Sequence, residues 1–142
     1  MNRDLYNAVV MEHALNRKNH REIQNPTHIE RGFNPSCGDD LTLMVRIADG
    51  KVEDAGYIGH GCAISKAAIS IMIDQILGRS VEEAAEIAKI YLAMIRGEHP
   101  GDESIGDLVV FETLKNMPAR VKCGTLGAHC VKVIADKVSQ ED

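Results

Sequence analysis

Leu41-Thr42-Leu43-Met44-Val45-Arg46-Ile47-Ala48-Asp49-Gly50-Lys51-Val52-Glu53-Asp54-Ala55-Gly56-Tyr57-Ile58 is the stretch whose reading decides the fold. Leu41, Leu43, Val45 and Ile47 alternate with Thr42, Met44 and Arg46, the period-2 pattern of a half-buried strand. Asp49-Gly50 is a strong two-residue hairpin signal and leads into a second strand from Lys51 to about Ile58. An antiparallel hairpin is expected at the centre of the protein.

C-terminal to the hairpin the period changes. Ile64, Ala67, Ala68, Ile69, Ile71, Met72, Ile73, Ile76 and Leu77 make a helix apolar nearly all round, which must be buried on most sides. Gly78 stops it. Ser80 and Glu83 form an S-x-x-E capping box for another helix, with Val81, Ala84, Ala85, Ala88, Leu92 and Ile95 on one face and an end near Gly97. Asp107 is placed to cap a short helix through Leu108, Phe111 and Leu114, and Pro118 to end it. A last helix is expected from Cys123 or Gly124 to about Val138, buried along Leu126, Cys130, Ile134 and Val138. On the N-terminal side, Leu5, Ala8, Val9 and Leu15 read as an amphipathic helix. Polar and breaker residues between 21 and 40, including Pro26, Gly32 and Pro35, read as one long connection. A hairpin followed by a run of helices gives an α+β fold: one domain over residues 1–142, a small antiparallel sheet packed on one side by several helices.

The 142 residues are 44% apolar and 26% charged, which excludes intrinsic disorder. With 16 basic against 21 acidic side chains and a net charge of -5, nothing attracts a phosphate backbone, so no nucleic-acid partner is expected. The longest uncharged apolar run, residues 67–73, falls far short of the roughly 18 residues of a membrane span. No apolar segment follows Met1-Asn2-Arg3-Asp4 to act as a secretory signal, so the expected compartment is the cytoplasm. Thiols stay reduced there, which makes Cys37, Cys62, Cys123 and Cys130 candidates for metal binding or catalysis, with buried structural cysteines as the alternative.

The phosphate-loop, zincin and nucleophile-elbow signatures are absent, and the G-x-G at Gly59 and Gly61 lacks its third glycine, which would fall at Ile64. What remains is the placement of three cysteines and an aspartate. Cys37, Gly38 and Asp39 close the long connection, Cys62 lies between a strand and a helix, and Cys123 precedes the last helix. Cys62 and Cys123 are thus expected at helix N-termini, where the dipole favours the thiolate. Gly38 allows the tight turn that would aim Cys37 and Asp39 inward. Three thiolates and a carboxylate suit tetrahedral Zn²⁺ or iron with sulfide. Such a site is anionic, and Arg120 and Lys122 are placed in sequence to offset it or to act simply as surface charges. His60 and His129 lie near site cysteines in sequence and are candidate ligands, though a place beside the ligands or in solvent is the commoner one for such histidines. Cys130, seven residues beyond Cys123, would lie about 10 Å away along a helix and is expected to pack in the core.

Three segments carry a resemblance. Asn34-Pro35-Ser36-Cys37-Gly38-Asp39-Asp40, Gly59-His60-Gly61-Cys62-Ala63-Ile64-Ser65 and Met117-Pro118-Ala119-Arg120-Val121-Lys122-Cys123 are similar to the three signature segments of the U-type iron–sulfur cluster assembly proteins. Lys122 stands where the IscU-type scaffold branch has histidine. The stretch from Met117 to Lys122 departs from that branch's chaperone-gripped Leu-Pro-Pro-Val-Lys, and the gap from Cys62 to Cys123 is longer by about the length of residues 97–114. In these features the chain resembles the SufU branch of Gram-positive bacteria. That resemblance implies zinc held by Cys37, Asp39, Cys62 and Cys123. It also implies acceptance of persulfide sulfur from a PLP-dependent cysteine desulfurase of the SufS type, with Cys37 as acceptor, and delivery to downstream assembly proteins. The protein would then be a zinc-dependent sulfurtransferase; a scaffold holding a transient Fe–S cluster and a structural zinc module are the alternatives.

Overall fold

The computed structural model describes residues 7–141. The elements run α1 (Ala8–Leu15), β1 (His28–Asn34), β2 (Asp39–Ala48), β3 (Lys51–His60), α2 (Ala63–Ile76), α3 (Val81–Ile95), a 3₁₀ segment (Glu103–Asn116) and α4 (Pro118–Glu141). The three strands form one antiparallel sheet in the order β1-β2-β3. The expected hairpin is present with Leu43 opposite Tyr57 and Val45 opposite Ala55. Asp49 and Gly50 both have positive φ, 54° and 74°, the backbone that lets a two-residue turn follow the twist of its strands.

Leu41, Leu43, Val45, Val52, Ala55 and Tyr57 turn their side chains to one face of the sheet, where helices cover them. There α4 packs against β1 and β2, while α2 packs against β3 and is enclosed further by α1, α4 and the 3₁₀ segment. That enclosure explains why α2 is apolar nearly all round: ten of its fourteen residues are buried. The α2–α4 crossing is close enough that a Cβ at Gly127 would sit 2.9 Å from the Ile69 side chain. Tyr91 of α3, fully buried, donates to the Gly124 carbonyl at 2.7 Å and ties α3 to the first half of α4. The buried apolar residues other than Ile23 and Val81 form one cluster. Among the described residues no helix is long and apolar enough to cross a membrane.

The structure departs from the sequence reading in four places. Residues 21–40 are not one connection, because β1 lies within them. Its apolar Ile29 and Phe33 are exposed, while Glu30 and Gly32 point to the helical side, so its alternation is inverted and reads as polar loop. The last helix begins at Pro118, five residues before Cys123, since proline is tolerated in a first helical turn where its missing N–H has no partner to lose. The segment before it is a 3₁₀ helix capped by Asp102 rather than Asp107, broken at Gly106. Leu108, Phe111 and Leu114 recur every three residues and are all buried, which is the 3₁₀ period. In α1 the buried residues are Val10 and Ala14, whereas Leu15 is 74% exposed and Leu5 lies outside the described residues.

Both halves of the capping box at α3 are formed: the Ser80 hydroxyl accepts from the Glu83 N–H and the Glu83 carboxylate from the Ser80 N–H, each at 3.0 Å. Ser80→Ala takes away the acceptor of the Glu83 N–H and is expected to lower the unfolding free energy by about 1 kcal/mol, read from urea denaturation of the two proteins side by side.

Candidate metal and sulfur site

The site assembles where four elements end. Asn34 and Asp39 are cross-strand partners that close the β1–β2 hairpin over the loop Pro35-Ser36-Cys37-Gly38. The Asn34 carbonyl accepts from the Cys37 N–H at 3.3 Å and the Gly38 N–H at 2.9 Å, and Gly38 supplies the positive φ, 74°, that turns the chain into β2. The loop thereby exposes Cys37 while Asp39 is fully buried. From the opposite side, the second turn of α4 brings in Cys123, also fully buried. One ligand atom from each of Cys37, Asp39 and Cys123 lies within 4.8 Å of the others. The two sulfurs are 3.4 Å apart, with Cys123 Sγ donating to Cys37 Sγ.

Cys62 stands next to this group but outside it. It is the N-cap of α2: its sulfur accepts from the Ser65 N–H at 3.4 Å, and its own N–H donates to Asp39 Oδ1 at 2.9 Å. The expected helix-terminal placement holds for Cys62 and fails for Cys123, which sits past the first turn, where the backbone N–H groups are already used. His60 ends β3 opposite Asp40, whose carboxylate is bound bidentately by Arg31 at 2.7 and 2.8 Å. Lys122 is exposed and Arg120 half-buried on the first turns of α4, beside Cys123 in sequence. His129 is exposed one turn and a half further along. Cys130 is 3% exposed near Gly32, and its thiol is pushed up to about 12 by burial and then by the charge of Glu30, as suits a core position.

Two residues without an assigned role in the sequence reading hold the centre together. Ser65, 1% exposed, donates its hydroxyl to Asp39 Oδ1 at 3.1 Å. Asn34, 2% exposed, donates from Nδ2 to Asp39 Oδ2 at 3.4 Å and to Cys123 Sγ at 3.8 Å. The position of Ser65, three residues after the N-cap, was a signal for contact with Cys62; nothing local signalled Asn34, whose contact with Cys123 spans 89 residues.

Burial pushes the Asp39 carboxyl up, but hydrogen bonds from the Cys62 N–H, Cys123, Ser65 and Asn34 outweigh it and hold the group below its ordinary value. A lowered folded pKa stabilises the fold above the ordinary carboxylate range, and that contribution is lost as the pH falls through the folded value. The Cys123 thiol moves strongly the other way, first through burial and then through its hydrogen bonds to Asp39 and Cys37. Free of metal at neutral pH, the centre is therefore a carboxylate facing a protonated thiol.

This donor set fits a metal ion. Two thiols and a carboxylate whose pKa is held below the ordinary value converge, and the 3.4 Å sulfur separation is close to the edge of about 3.8 Å of a tetrahedron with 2.3 Å bonds. Asp39 Oδ1 accepts from the Cys62 N–H and the Ser65 hydroxyl, and Oδ2 from the Asn34 amide at 3.4 Å.

Known proteins bear out the family resemblance. The iron–sulfur cluster assembly scaffold protein IscU of Thermotoga maritima is 35% identical over 136 residues, 96% of each chain. The zinc-dependent sulfurtransferase SufU of Bacillus subtilis is 36% identical over 123 residues, 86% of this chain and 83% of that one. The crystal structure of FiSufU from Fervidobacterium islandicum superposes with a TM-score of 0.85 at 37% identity, covering 91% of this chain and 95% of that one. The pattern of the NifU-like N terminal domain matches residues 5–132, and the chain belongs to that family.

Proposed function

We propose that this protein works in iron–sulfur cluster assembly as a zinc-dependent acceptor and relay of persulfide sulfur supplied by a PLP-dependent cysteine desulfurase. The observation that carries this reading is the asymmetry of the site: an exposed thiol, Cys37, held 3.4 Å from a buried one, Cys123, over a buried carboxylate. A thiol that takes sulfur from another protein has to be reachable, and of the clustered groups only Cys37 is. The SufU relative that shares these lengths of chain is named a zinc-dependent sulfurtransferase.

Cys37, Asp39 and Cys123 would hold the metal, with Cys62 beside them as the fourth donor. Zinc, when bound, keeps its thiolate ligands deprotonated at neutral pH. The Cys37 thiolate attacks the terminal sulfur of the desulfurase persulfide; the S–S bond breaks, the desulfurase cysteine leaves as thiolate, and Cys37 carries the persulfide. No external oxidant or reductant is needed. Asp39, a hard oxygen among soft sulfurs, is the weakest matched donor and makes the set easier to open than four thiolates would be. Arg120 and Lys122 flank Cys123 on α4 and would offset the negative charge of the loaded site. Reducing surroundings, such as the cytoplasm, suit free thiols of this kind.

The scaffold reading rests on the IscU name of the Thermotoga maritima relative and on the name of the Fervidobacterium islandicum structure, which includes the words iron–sulfur cluster assembly scaffold protein for SUF system. Lys122, in place of the histidine of the IscU branch, weighs against it. A purely structural zinc is disfavoured by the extent of the apolar core.

Cys37→Ala is expected to abolish transfer of ³⁵S from a persulfidated desulfurase, while Cys130→Ala retains it; loss in the Cys130 variant with its fold intact overturns the assignment. Asp39→Ala is expected to speed zinc loss to a chelator without unfolding the chain, so unchanged retention counts against Asp39 as a ligand. Because the metal-free Cys123 thiol is protonated at neutral pH, zinc uptake releases protons and weakens as the pH falls. Calorimetry in buffers of different ionisation enthalpy reads that release; the same heat in every buffer would contradict it.

A further inference from the structure

Asn34 touches two of the clustered donor atoms and the backbone of the residue that carries the third. Its backbone carbonyl accepts from the Cys37 N–H at 3.3 Å, and its side-chain Nδ2 lies 3.4 Å from Asp39 Oδ2 and 3.8 Å from Cys123 Sγ. The residue is 2% exposed, so these contacts are made out of water, where a hydrogen bond counts for more. Only Nδ2 can face the carboxylate, since the reverse orientation would set two acceptor oxygens against each other. The other end of the amide, Oδ1, is buried with no hydrogen-bond partner among the described residues. A side chain kept for the fold alone would have both ends satisfied or be apolar; this one leaves an acceptor unpaired while its donor stays on the site.

We propose that Asn34 is a positioning residue of the metal site: its amide N–H holds Asp39 Oδ2 and the Cys123 sulfur at one point, and its carbonyl fixes the turn that presents Cys37. The proposal rests on the metal-site reading above and adds to it a group that binds no metal itself. An N–H on a ligating sulfur withdraws electron density from it, so Asn34 also tunes the bond that Cys123 makes. Asp39 is gripped on both sides by this means, with Ser65 and the Cys62 N–H on Oδ1 and Asn34 on Oδ2.

The test uses the full chain loaded with Co²⁺ for absorption and with Zn²⁺ for release into a chromogenic chelator. Asn34→Ala is expected to move the thiolate-to-cobalt charge-transfer band and to weaken zinc retention by about 10- to 100-fold, the range for a residue that orients a ligand. Asn34→Asp, equal in size but presenting oxygen where the N–H was, gives the same two readings should the alanine variant fail to fold. A folded variant with band and release unchanged, in an assay where Asp39→Ala alters both, overturns the proposal. A wild-type chain that takes up no cobalt overturns the reading of the site itself, and the role of Asn34 with it.

Discussion

Asp39 has no solvent exposure, and its negative charge is met inside the protein by the Cys62 N–H, the Ser65 hydroxyl and the Asn34 amide. An ionised carboxylate buried without such donors would cost several kcal/mol or take up a proton. Each donor comes from a different place in the chain: the end of β1, the junction before α2 and the first turn of α2. Meeting the charge of one residue therefore fixes the relative position of the segments that carry Cys37 and Cys62. The same carboxylate faces Cys123 from α4, so the centre closes only when sheet and helices are docked.

The fold supplies that docking by ordinary means. The inner faces of β2 and β3 are apolar, α2 is apolar on nearly every side, and α4 packs against β1, β2 and α2. Close approach is permitted where side chains would collide. Gly59 has a φ of 115° and lies against the Asp40 carbonyl, and a Cβ at Gly61 would run into the Ser65 hydroxyl and sit 3.0 Å from Asp39 Oδ1. The G-x-G around His60 is thus a packing requirement of the Asp39 site rather than a nucleotide fingerprint.

The features legible in the sequence were the local ones. The β2–β3 hairpin follows from alternation and a turn pair, and the α3 start from a capping box, because each depends on residues within a few positions. β1 was illegible because its apolar residues face outward and its inward positions hold Glu30 and Gly32, so periodicity signalled loop. Pro118 was ambiguous, since proline both ends one element and opens the next. The site divided along the same line. Cys37, Asp39 and Cys123 were named from their placement at element ends, and the structure gathers them; Cys62 turns its sulfur to the α2 N-terminus instead. Asn34 could not be seen from sequence, because its role exists only after β1, β2 and α4 have met.

Function follows from the contrast between a reachable thiol and a buried, charged support. Cys37 sits on an exposed loop whose backbone is pinned by Asn34, while Asp39 and Cys123 are shielded and held by the core. The measurement that tests this account most directly is the metal and acid-labile sulfide content of the protein purified without added metal. The account predicts about one zinc per chain and no sulfide. Iron accompanied by sulfide would contradict the acceptor role in favour of a scaffold, and a chain that retains no metal would return Cys37, Cys62 and Cys123 to plain packing and surface residues.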